Sequence, residues 1–152
     1  MSAGPGGSGA STSQGAQVFS NIGCAACHIV SQTTGNSVMT GQSNVTFQPL
    51  SDWALHQMGT GLADGISQGG ASGTQFRTAP LWGAGQRLFF LHDGRATDLF
   101  EAIQAHRSRD SEIESGERDH KALPSEADAV TDKFLALSKS DQQAILNFLR
   151  SL

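Results

Sequence analysis

The chain has only two cysteines, and they stand three positions apart with a histidine directly behind them: Cys24-Ala25-Ala26-Cys27-His28. Two thiols at this spacing reach both vinyl groups of a porphyrin, and the adjacent imidazole binds iron from the same side. The run therefore reads as a c-type haem attachment sequence. A redox dithiol would place its CxxC where a strand runs into a helix of a βαβ unit, and the surrounding sequence offers no strand. A zinc site needs two further Cys or His at short spacing. No other cysteine exists, and the next histidine, His56, lies far beyond the usual interval. A simple disulfide would leave both His28 and a shortage of apolar core unexplained. The expected cofactor is one covalently attached haem c.

The second axial group decides whether such an iron only passes electrons or also works on a small molecule. Four histidines and three methionines remain. His56 reads as a helix-surface or pocket-supporting residue, His92 as a turn residue in His-Asp-Gly, and His120 as a loop residue. His106 differs, because it falls on an apolar helical stripe with Leu99 and Ile103, where a buried imidazole needs a partner. It is the preferred distal ligand, a satisfied core histidine being the competing reading. Met58, beside Gly59, is the alternative distal ligand, while Met1 and Met39 lie in the tail and a loop. Arg77 and Arg95 are the cations nearest to apolar segments and are candidates to pair with haem propionates, against the plain reading of solvated arginines. Trp53 and Trp82 read as core or haem-wall residues, and an indole N–H such as that of Trp82 can also reach a propionate.

The elements that must hold these residues can be read from punctuation and period. Residues 1–14 are Gly/Ser-rich without periodic apolar residues and read as a flexible tail, with the haem domain over 15–152. A short helix is expected over Gly15–Ile22. Ser51 as N-cap, Leu50 and Leu55 as a staple and Gly59 as a stop predict a second helix carrying His56 and Met58. Phe76–Leu91 reads as irregular chain packed on the interior. Asp98 and Glu101 form a capping box for a helix bearing Leu99, Ile103 and His106. Arg107–Leu123 is charged and reads as an exposed loop. Pro124, Ser125 and Asp128 open a further helix, and Ser140 with Gln143 opens the last one. Its apolar face of Ile145, Phe148, Leu149 and Leu152 suits docking on the first helix.

Composition bounds what all this can be. In 152 residues only 38% are hydrophobic, there are 18 glycines and no tyrosine, and haem would supply the missing apolar volume. A net charge of -4 with scattered Lys and Arg excludes a nucleic-acid stripe. No apolar run approaches the roughly 20 residues of a membrane span, and the start lacks a secretory-signal pattern.

The segments GCAACH, SDWALHQMGTGLADG, FRTAPLWGAG, FFLHDGRATDLFEAIQAH and DQQAILNFLRSL, in this order, resemble the C-terminal haem domain of the di-haem cytochrome c peroxidase superfamily. Within it the likeness is greatest to the di-haem, thiol oxidoreductase-like proteins, and it runs from about Gly15 to Leu152. The resemblance implies that the helix after the His92-Asp93-Gly94 turn supplies the second axial ligand. That ligand is Met in the peroxidases, Tyr in methylamine-utilisation relatives and His in the group most like this chain. His106 falls at that position, and His56 and Met58 fall in a pocket-lining motif. Two departures stand out: relatives carry a second haem domain where the peroxide or substrate chemistry occurs, without a counterpart motif here, and a charged insertion comes after Arg107-Ser108-Arg109.

The expected fold is all-α, a single cytochrome c-like domain with long loops around a covalent haem. The expected function is one-electron transfer by a bis-His haem, more carrier than enzyme. The alternatives are a peroxidase-like enzyme or the electron-input domain of a larger di-haem oxidoreductase. Redox proteins, other haem proteins among them, are the expected partners. Haem attachment implies maturation outside the cytoplasm and thus a periplasmic or extracellular location.

Overall fold

The computed structural model describes residues 9–108 and 124–152. Residues 1–8 of the expected tail, most of the charged loop and His120 lie outside the described residues.

Among the described residues, four α-helices carry the core: α1 (Gly9–Ile22), α2 (Leu99–Gln104), α3 (Asp128–Ala136) and α4 (Lys139–Arg150). Helix α1 starts at Gly9 rather than Gly15, because the small polar residues ahead of Gly15 continue the turn against α4, where Asn147 donates to Ser11 Oγ. The helices meet where the periodicity placed the apolar stripes. Phe19, Ile22, Leu99, Phe134, Ile145, Leu146 and Leu149 form one buried cluster. Fully burying a side chain such as Phe134 or Ile145, each 1% exposed, contributes roughly 1.5–3 kcal/mol. Gly15 lets α1 lie directly on α4, since a Cβ there would sit 2.0 Å from the Ala144 carbonyl oxygen.

The caps explain where the helices start. Asp98 accepts from the Glu101 N–H, as the capping box predicts. For α4 the cap is Ser138, whose hydroxyl oxygen accepts from Asp141 N–H, two residues earlier than the expected Ser140. Both serines carry a polar residue three positions on, so the sequence pattern alone cannot choose between them.

The all-α expectation is overturned. Among the described residues, four short strands form two antiparallel pairs: β1 (Gln32–Thr33) with β2 (Thr46–Phe47), and β3 (Leu55–Gln57) with β4 (Gln75–Arg77). The helix expected after Ser51 is therefore strand β3, with His56 opposite Phe76. Ser51 and Asp52 do accept hydrogen bonds from nearby backbone, but they close turns instead of a helix. Ser51 Oγ takes Trp53 N–H at 3.0 Å and Asp52 Oδ1 takes Ala54 N–H at 2.9 Å. Positive φ at Leu50 (48°) and Trp53 (63°) breaks any helical run there. Strands of two or three residues have no alternation long enough to read. Phe76 and Arg77, expected in irregular chain, are in β4, and Leu88 and Phe89 are exposed rather than packed inside. Among the described residues no helix is long and apolar enough to cross a membrane.

Candidate functional site

Helix α1 ends at Gly23, whose φ of 111° turns the chain straight into a 3₁₀ turn over Cys24–Ala26. Three residues per turn bring positions i and i+3 into eclipse, so Cys24 and Cys27 project from one side. Both are free, half-buried thiols. Burial pushes Cys24 up to about 11, and Cys27 is raised by burial and then by the negative charges of Asp52 and Glu126. Neither is a thiolate at neutral pH, which argues against a reactive redox dithiol.

His28 comes directly after the turn and donates Nδ1–H to the Leu50 carbonyl at 2.9 Å. The positive φ of Leu50 sits at that carbonyl, one place where unusual backbone serves the site. A carbonyl can only accept, so the bond assigns the proton to Nδ1 and leaves the Nε2 lone pair for another partner. His106, just past the end of α2, repeats the arrangement: its Nδ1–H goes to the Ala102 carbonyl at 2.7 Å. Burial lowers the proton affinity of both rings, and for His28 the charge of a protonated His106 lowers it further. Both imidazoles are thus neutral at neutral pH.

The chain beyond α2 is anchored from across the fold. The Ser125 hydroxyl donates to the His106 carbonyl at 2.6 Å and Ser108 bonds the Asp128 carboxylate through both N–H and hydroxyl. Ser125 is 6% exposed, so this brace is internal.

Beside Cys27 stands a second group of side chains. His56 is gripped between Asp52 Oδ2 on Nε2, at 2.8 Å, and Glu126 Oε2 on Nδ1, at 2.7 Å. Its Nδ1 also lies 3.8 Å from Cys27 Sγ. Carboxylates accept only, so both ring nitrogens carry protons and His56 is held as an imidazolium, its proton affinity raised first by Glu126. Burial would lift Asp52, yet the Ala54 N–H and the His56 ring outweigh it and hold the carboxyl low. Glu126 is lowered first by the Gln57 N–H, then by His56.

The remaining candidates are scattered around this centre. Met58 is half-buried, with its backbone N–H on the Thr74 carbonyl. Arg95 pairs with Asp93 and donates to the Gly61 carbonyl at 2.7 Å, and Arg77 is exposed at the end of β4. Trp82 donates its indole N–H to the Gln48 carbonyl, with its ring 6.2 Å from that of Trp53. His92 stacks on Phe76 at 4.2 Å. Three participants are missing from the sequence-based set: Asp52, Glu126 and the Leu50 carbonyl. Asp52 was legible as the i−4 neighbour of His56. Glu126 lies 70 positions from its partner, and a backbone carbonyl carries no sequence signal at all.

The sequence model of the family described as "Di-haem oxidoreductase, putative peroxidase" matches residues 2–152. The chain belongs to that family. Membership in the di-haem oxidoreductases implies haem binding and a haem-related oxidoreductase or peroxidase-like domain. No curated protein and no solved structure matches the chain. Two neutral imidazoles of fixed tautomer and two thiols at a turn are a donor set chemically suited to haem iron and porphyrin.

Proposed function

We propose that this chain is a mono-haem c-type cytochrome module that passes single electrons, with Cys24 and Cys27 carrying the porphyrin through thioethers and His28 and His106 as its axial pair. One observation carries the reading: both histidines give Nδ1–H to a backbone carbonyl, which presents each Nε2 as a metal ligand and raises its basicity. When bound, haem supplies a one-electron iron couple. His28 and His106 would fill both axial positions, leaving none for substrate and favouring a potential lower than His/Met ligation gives. Arg77 is the exposed candidate to meet a propionate, while Arg95 and the Trp82 indole would do so by leaving Asp93 and the Gln48 carbonyl. Partners are other redox proteins, and the location is periplasmic or extracellular, where haem is attached.

The test is maturation in a host competent for c-type cytochromes. A mass gain of one haem that survives denaturation is expected, and near-infrared and EPR spectra of the oxidised protein should carry the bis-imidazole signature. A polypeptide with its bare mass refutes attachment. In His106→Met the spectrum should move to that of His/Met iron, whereas in Met58→Leu it should not change.

The family's peroxidase description favours a second reading, a peroxidase-like enzyme or the electron-input part of a larger di-haem protein. Steady hydrogen peroxide turnover by the loaded chain, unaffected by His106→Ala, would replace the first reading with this one.

A further inference from the structure

His56 lies 29 positions after Cys27, too far for a zinc motif to be read in the sequence, yet strand β3 returns its ring to the sulfur. Cys27 Sγ, an Asp52 carboxylate oxygen and a His56 ring nitrogen lie within 4.8 Å of one another, all on half-buried residues. A tetrahedral shell with bonds of about 2.0–2.3 Å puts its ligand atoms roughly 3.3–3.8 Å apart, so the three need to close in by about 1 Å to hold one ion. Thiolate, imidazole and carboxylate together suit zinc-class ions, not the all-oxygen shells of calcium or magnesium. Glu126 holds the ring at Nδ1, so an ion taken by Nε2, the nitrogen that faces Asp52, would keep a carboxylate–histidine support that fixes the tautomer.

We propose that the haem-free, thiol form of the chain binds a zinc-class divalent ion through Cys27, Asp52 and His56, and that this ion and haem exclude each other at Cys27. The metal site stands on the geometry alone, while the exclusion rests on the proposed haem attachment. Haem attachment adds the Cys27 S–H across a vinyl group. The S–C bond forms at one vinyl carbon, the proton goes to the other, and no electrons are exchanged with any third party. The product is a neutral thioether, a poorer ligand for such an ion than a thiolate, so attachment dismantles the site. In the other direction, metal binding takes the proton from the Cys27 thiol and one proton from the His56 ring, and occupies the sulfur needed for addition.

Cobalt(II) is the probe, titrated into the reduced, haem-free full chain. A thiolate-to-cobalt charge-transfer band is expected, lost in Cys27→Ala and His56→Ala, kept in Cys24→Ala, and shifted in Glu126→Gln to an affinity weaker by roughly 10–100-fold. Zinc should displace the cobalt and should protect Cys27, but not Cys24, from alkylation, read by peptide mass. Circular dichroism shows whether each variant keeps its helices. No band in the wild type, or a band that survives Cys27→Ala, overturns the site. Cobalt affinity undiminished in the haem-loaded chain overturns the exclusion. A chain that never takes up haem sinks the haem reading alone, and the cobalt band still decides the metal site.

Discussion

At the scale of single residues, one difference divides the histidines of this site: what their ring nitrogens face. His28 and His106 face carbonyls and are neutral, whereas His56 faces two carboxylates and is charged. The consequence for stability can be measured in the presence of a chelator. The folded chain holds the His56 proton more tightly than an ordinary imidazole of pKa 6.5. Its stabilisation is thus complete below that value and fades as pH rises through the higher folded-state value. Asp52 and Glu126 are shifted the other way, so their share is complete above the ordinary carboxylate range and fades as pH falls through their lowered values. Stability from this cluster peaks between the two ranges. His56→Gln should cost about 1 kcal/mol at the peak, a modest figure because the Glu126 side chain is 55% exposed. Thermal melts across alkaline pH should converge for wild type and variant, and parallel curves would show that His56 is not the titrating group.

At the scale of elements, close packing and capping can be tested separately. Gly15→Ala drives a Cβ into the Ala144 carbonyl of α4, and neither atom belongs to a side chain that can swing away. We expect a loss of about 1–3 kcal/mol or more in urea unfolding, against little change for a substitution at the exposed Gly41, where a Cβ meets nothing. The α4 cap gives a sharper comparison. Ser138→Ala should cost about 1 kcal/mol and Ser140→Ala close to nothing, because only Ser138 holds the Asp141 N–H. Equal effects would mean that the helix starts elsewhere.

At the scale of the whole molecule, the candidate axial pair comes from two elements far apart in the chain. His28 leaves the end of α1, while His106 leaves α2 and is braced by Ser125 near the start of α3. A metal bridging the two rings would tie these parts together, so His106→Ala should lower the unfolding temperature of the haem-loaded chain much more than that of the haem-free chain. Ser125→Ala, which removes the brace but no ligand, should lower both. If His106→Ala affects both forms equally, His106 acts as a core histidine and not as a ligand.

What the amino-acid sequence determined by itself was local or periodic. The Asp98–Glu101 cap and the apolar stripes of α2 and α4 are each written within a few residues, so they can be read without a partner from elsewhere. The tertiary structure alone decided the rest. Ser51 and Asp52 carry the same side-chain acceptors whether they open a helix or close a turn, and it is the pairing of β3 with β4 that selects the turn. Likewise, the place of His56 beside Cys27, its grip by Glu126, and the Leu50 carbonyl under His28 all join residues far apart in the chain. Long-range contacts of this kind leave no period to read, because nothing near either partner in sequence changes when the other is present.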